Sequence, residues 1–519
     1  MSKHETPGVT KAASACLSRV RGSKPAAACA VAVMALALPA SGLSAPAPPR
    51  SRPAMTQPGA LTQLPGASGC LVDRANLHRG CQPVRALRGP GPLLGSDAVA
   101  VSPDGNNLYV ASARSNAIAV FRRNRATGQL VQAPGPGGCV ADSGAARCGL
   151  AVGLAGVNSV AVSPDGSNVY ATSVNSSSVT IFRRDQSNGA LTQLPGLAGC
   201  VARTATPDCT SATALDGPDV VAVSHDGKDV YVGAFFGSAV LAFARNEATG
   251  ALIQLSGSSG CIAASNAGCA SGLALKQPEG LAISGDGNNV YVAAALSAAL
   301  DVLTRNPATG ALTQATDGSG CLTSTPLSGC RTGRALRGAD AVTVSADDRN
   351  VYVSAGISQS IAIFNRASGS GTLTQPVGAA GCVMNLVAVG CAPGRKLLDP
   401  EGLVISPDGG NVYATAFASG ALDVFERHPS TSALIQKPGQ LGCVVSRAKH
   451  DCTRGRGGLR GVSSAVISPD GKYLYAVANA SNSVTVFSIA RCNCHADIRQ
   501  SDTHDLTYPG SSPSKRGKA

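Results

Sequence analysis

Seven positions in this chain are spaced so that their side chains could act together. Asp97, Asn158, Asp219, Glu279, Asp340, Glu401 and Ser463 follow one another at steps of 61, 61, 60, 61, 61 and 62 residues. Five of the seven are carboxylates. If the fold brings them close, each raises the pKa of the next, or a cation settles among them. An oxygen-only ligand set (Asp97, Asn158, Asp219, Glu279, Asp340, Glu401) suits Ca²⁺ or Mg²⁺ better than a soft metal. Such an ion could polarise an ester-type carbonyl while a free carboxylate activates water. Glu279 and Glu401, each in Pro-Glu-Gly, are the expected catalytic pair. Three residues before three of these positions stand Lys276, Arg337 and Arg460, which could pair with the carboxylates or hold an anionic substrate; Arg88 is set apart by an insertion. The plainer alternative is that the acids cap strand starts, bind backbone N–H groups or water, and do no chemistry.

The elements that must position these residues are repeats. Val99–Phe121 reads VAVSPDGNNLYVASARSNAIAVF, and its kernel returns with serines at Ser102, Ser163, Ser224, Ser284, Ser345, Ser406 and Ser468. Each unit holds four short runs with apolar and polar residues alternating, the period of a pleated strand. Pro and Gly in Ser102-Pro103-Asp104-Gly105 suit a tight turn. Tyr109 and Phe121, with their counterparts in later units, read as packing between sheets. Four-stranded sheets at this interval describe an all-β, seven-bladed β-propeller. Gly59–Leu64 is a fourth run with nothing ahead of it, and Ser464–Ile489 supplies three runs and stops. Joined, they complete the seventh blade and remove two open sheet edges. The first run of each blade should line the central channel, so the acids should meet at its mouth.

Residues 1–45 read as a signal peptide: basic residues precede the apolar run Ala26–Leu38, and Leu43-Ser44-Ala45 offers a cleavage site. Residues 46–58 read as a Pro-rich linker, 59–490 as the propeller, and 491–519 as a disordered basic tail whose Cys492 and Cys494 form a terminal bridge or hold a metal. No transmembrane segment is expected after cleavage. Of 18 cysteines, fourteen fall in seven pairs, one per repeat, at Cys70/Cys81, Cys139/Cys148, Cys200/Cys209, Cys261/Cys269, Cys321/Cys330, Cys382/Cys391 and Cys443/Cys452. That pattern predicts disulfides and a secreted or periplasmic location. Zinc would want closer pairs and histidines. The net charge of +13 is spread out and aromatics are few, which excludes a nucleic-acid reader. His78, His225, His428 and His450 share no inner position, and no GxSxG elbow, P-loop or dinucleotide fingerprint is present.

The SPDG…VYV…IxVFxRxxxTGxLTQ cadence over about residues 59–490 resembles the lactonase-type seven-bladed propellers, including 6-phosphogluconolactonase-like and YVTN-repeat proteins. The resemblance implies this fold and a lactone or ester hydrolase acting at the channel mouth, with or without a divalent cation. The Pro-Arg-His type motif of family lactonases is missing, so catalytic residues do not carry over. A second expectation is a non-catalytic extracellular or envelope propeller that presents its stapled loops to a protein partner. A monomer is expected in either case.

Overall fold

The computed structural model describes residues 57–76, 80–89, 98–142, 147–266, 268–385, 390–446 and 451–491. The signal peptide, nearly all of the linker and tail, Asp97, His78, His450, Cys492 and Cys494 lie outside them. From Leu61 to Ile489 the chain forms seven sheets in sequence, one per repeat, with a turn or loop between strands and no α-helix among the described residues. Among the described residues no helix is long and apolar enough to cross a membrane.

The third blade illustrates the plan. An inner strand (Pro218–Val223), a second (Asp229–Ala234) and a third (Ala239–Arg245) pair antiparallel, with Pro218 opposite Ala234 and Ala234 opposite Ala239. Hence the start of each inner strand lies on the face where the second strand turns into the third. The expected fourth run is split. Leu252–Gln254 pairs with the far end of the third strand, and a 3-10 turn at Gly257–Gly260 swings out. Cys261–Ala263 then rejoins the same third strand at its near end. A short strand, Ala270–Ser271, adds to it in parallel, clipped by the Cys261–Cys269 disulfide. All seven predicted pairs form disulfides of 8–11 residues' separation. Loops of that size stabilise by about 2.5 kcal/mol each through chain entropy. Seven such bridges point to an oxidising, extracellular or periplasmic environment.

Ring closure follows the sequence. Leu61, Thr62 and Gln63 pair with Ile489, Ser488 and Phe487, and Cys70–Val72 pairs with the other end of that strand. Between blades the aromatic columns are fully buried: Tyr109, Tyr170, Tyr231, Tyr291, Tyr352, Tyr413 and Tyr475, with Phe121, Phe182, Phe243, Phe364 and Phe425. The tyrosines also carry a polar seam. Tyr170 donates to the Gly250 carbonyl of the next blade at 2.9 Å and accepts from Arg245 Nε at 2.7 Å. Arg245 also reaches Asp165, Asn168 and the Gly227 carbonyl. The glutamine of each outer strand forms a second seam, as Gln254 does by exchanging hydrogen bonds with the Thr213 amide and carbonyl of the preceding blade.

Candidate functional site

The acids sit where the inner strands break register. Pairing skips one residue between Val157 and Ser159, Pro218 and Val220, Pro278 and Gly280, Pro400 and Gly402, and Val462 and Ser464. The shift in the fifth blade falls between Ala339 and Val342. Asn158, Asp219, Glu279, Asp340, Glu401 and Ser463 therefore all occupy β-bulges, which bend a strand and re-aim its side chain. Glycine then lets neighbouring strands close in. A Cβ on Gly280 would lie 2.3 Å from the Asp340 carbonyl oxygen, and one on Gly402 would lie 2.8 Å from that of Ser463. This is the physical reason for Pro-Glu-Gly: the glycine beside each glutamate admits the next blade's ring residue. Hydroxyls on the second strands fix the ring backbone. Thr172 donates to the Asp219 carbonyl (3.0 Å), Ser354 to that of Glu401 (3.0 Å) and Thr415 to that of Ser463 (2.8 Å).

The side chains converge as expected. Asn158 Nδ2 donates to Asp219 Oδ1 at 2.5 Å. Glu279 is 9 % exposed, and burial with the Asp399 charge pushes its carboxyl up to about 7. Burial raises Glu401 well above the usual carboxylate range, with Asp399 and Glu279 adding to it. Asp340 is raised likewise by burial, then by Glu279, Glu401, Asp219 and Asp399. One oxygen of Asp340 and the Ser463 hydroxyl are buried without a hydrogen-bond partner. Burial and mutual repulsion thus push Glu279, Asp340 and Glu401 the same way, toward the protonated form.

Lys276, Arg337 and Arg460 lie exposed on the same face, and among the described residues none makes an ion pair. They do not neutralise the ring acids, whose pKa values rise instead. Arg88 does hold the matching place: its amide bonds Ser115 Oγ as those of Lys276 and Arg337 bond Ser297 and Ser358. Among the described residues no group of three His, Cys, Asp or Glu side chains is placed to hold a metal ion. The cation expected from the spacing thus finds no ready cage in Asn158, Asp219, Glu279, Asp340 and Glu401, and Asp97 falls outside the described residues. His225 and His428 lie in turns remote from the ring, as read from sequence.

Sequence reasoning missed Asp399. It stands two residues before Glu401 with a left-handed backbone (φ 56°), in the column that holds Gly156, Gly217, Gly338 and Gly461. Asp tolerates that conformation better than most residues, and a lone acid in a glycine column was the available signal. Clefts of about 410–700 Å³ lie between blades, one of them lined by Arg74, Arg85, Arg88 and Arg114.

Residues 281–446 match the family model described as lactonase, 7-bladed β-propeller. Among solved structures, a putative 6-phosphogluconolactonase from Bacteroides fragilis is 17% identical, covering 76% of this chain and 89% of its own, with TM-score 0.45. The periplasmic gluconolactonase PpgL of Pseudomonas aeruginosa is 19% identical over 73% of this chain and 93% of its own, TM-score 0.46. Hydrazine synthase of Kuenenia stuttgartiensis is 17% identical over 78% and 98%, TM-score 0.47. At such identities the likeness concerns the fold alone. No curated protein sequence matches the chain.

Proposed function

Starting from a chain that matches the lactonase-type seven-bladed propellers, we propose that it hydrolyses a lactone or ester at the mouth of its channel. The observation that carries this reading is the buried carboxyl cluster, in which burial and neighbouring acids push Glu279 up to about 7 and raise Asp340 and Glu401 well above the usual carboxylate range. Neighbouring acids with pKa values pushed apart supply a base and an acid at one pH. Ionised Glu279 takes a proton from water as its oxygen bonds to the carbonyl carbon. The acyl C–O bond then breaks, and neutral Glu401 or Asp340 gives its proton to the departing alkoxide oxygen. Lys276 and Arg337, exposed at the rim, are placed to steer a polar or anionic part of the substrate. Ca²⁺ or Mg²⁺ among the same oxygens is the alternative activator, although among the described residues no three acids are grouped to hold one. The test is turnover of a lactone and ester panel by the oxidised protein, with and without chelator. A panel left untouched by wild type refutes the reading.

The second reading is a non-catalytic binding propeller in an extracellular or envelope setting. It is favoured by the seven disulfides, which fasten chemically diverse loops to one face. On that reading Glu279→Gln changes nothing but stability.

A further inference from the structure

The turn between the second and third strands carries one outward residue per blade, on the face where the acids meet. Round the ring it is Arg114, Asn175, Phe236, Leu296, Ile357, Ala418 and Ala480. Three consecutive blades, the third to the fifth, therefore place large apolar side chains there. Phe236, Leu296 and Ile357 are 59%, 64% and 68% exposed. The remaining positions are polar or small, so the apolar arc covers one side of the mouth only.

The arc is tied to the acids by geometry. The Phe236 ring lies over Gly217, whose absent Cβ would meet it at 2.3 Å, and Ile357 lies over Gly338 at 2.8 Å. Those glycines stand two residues before Asp219 and Asp340. Beside Leu296, the Ala295 amide bonds the Gln277 carbonyl, two residues before Glu279. Phe236 is braced edge-on by Phe235 at 5.1 Å, and Gly217 and Gly338 have positive φ, so any side chain there would lift the ring or the isoleucine. Lys276 and Arg337 flank the arc, their amides held by Ser297 and Ser358, the residues next to Leu296 and Ile357. Scattered single apolar residues on a surface need no explanation, but one turn position made large and apolar in three consecutive blades, beside the acids, is not scatter.

We propose that the ligand is an acyl-chain lactone or ester: its linear apolar chain lies across Phe236, Leu296 and Ile357 while its carbonyl enters the acid cluster at Glu279 and Asp340. This rests on the hydrolase reading for its chemistry but not for its binding. A compact sugar lactone would leave the arc bare.

The probe is a series of γ-lactones differing only in a linear alkyl substituent, from methyl to octyl. Each methylene fully covered should raise kcat/KM by roughly three- to fourfold, until the chain outruns the arc. Phe236→Ser, Leu296→Ser and Ile357→Ser should each lower the octyl-to-methyl ratio by about tenfold. Val377→Ser, an apolar residue 90% exposed at a peripheral turn, should leave that ratio alone. Thermal melting confirms that the exposed substitutions leave the fold intact. Turnover indifferent to chain length would overturn this proposal and leave the hydrolase standing. If nothing turns over, binding of the matching alkyl lactams decides. Affinity that grows with chain length and is lost in the serine variants upholds the arc without the hydrolase. Absence of such growth removes it.

Discussion

At the residue scale the question is what a carboxyl does when its neighbours are carboxyls. Glu279 has little water, no cation partner and other acids nearby, so its proton leaves near pH 7 instead of near 4.5. If it is the base, kcat/KM should climb with an apparent pKa of about 7. Glu279→Gln keeps the shape, removes the climb and lowers kcat/KM by about 10²–10⁴. A variant that retains the wild-type pH profile would move the base elsewhere. The column of acids was visible from spacing alone. Asp399 was not, because it lies off that column and joins the cluster only through the bend of its own left-handed backbone. The side-chain directions of Lys276, Arg337 and Arg460 were not legible either. Spacing put them three residues from the acids, but the turn holds their side chains in solvent.

At the scale of the strand, the site depends on how closely inner strands approach. Gly280→Ala sets a methyl against the Asp340 carbonyl; overpacking of this kind costs about 1–3 kcal/mol. Melting should show that loss, and the Glu279 titration should move back toward the ordinary carboxylate range as the acids part. An unchanged titration would mean that Asp340 is not what the glycine admits. The third strands add a second buried pair of acids. Asp301 and Asp423 lie across from Cys321 and Cys443, each accepting one bond from a glutamine (Gln314, Gln436) and each with its other oxygen unpartnered. Other blades place Ala119, Thr180, Leu241, Ala362 and Thr485 there. Burial raises both carboxyls far above their usual range. Above the unfolded pKa the unfolded chain ionises while the folded one keeps its protons, so this contribution falls as pH rises. Asp301→Asn should therefore stabilise the protein in mildly alkaline buffer more than in acid, by melting temperature. A variant less stable at both would show that the proton is not the issue. Alternation and turn residues made these strands legible; the broken outer strand was not, because its 3-10 turn is built from the same Gly and Ser residues as an ordinary loop.

At the scale of the ring, the blade count and the zipped termini could be read from the repeat, whereas the one seam that differs from the rest needed the structure. Six junctions carry the arginine staple, from Arg123, Arg184, Arg245, Arg305, Arg366 and Arg427. The seventh has Ile489 in that place, paired with Leu61 as Arg245 is with Leu252. Its absence leaves a mark. Asn411 Oδ1 is buried without a partner, where Asn168 and Asn350 accept from a guanidinium at 2.7 and 2.6 Å. Tyr413 still donates to Gly59 at 2.9 Å, and Arg491 acts on Asp408 only as one minor influence behind burial and closer hydrogen bonds. This seam joins the sixth blade to the one closed by both termini, so the staple is missing where the ring has to be zipped shut. Ile489→Arg would offer donors to Asn411, Tyr413 and Asp408 together. Hydrogen bonds to a buried orphan and a carboxylate outweigh the lost packing of a half-buried isoleucine by about 1 kcal/mol. In a chain of this length that is a rise of about 1–2 °C in Tm. Asp408→Ala in the same background should remove the gain, and a Tm that falls on introducing the arginine would show that the seam is held by Ile489 packing instead.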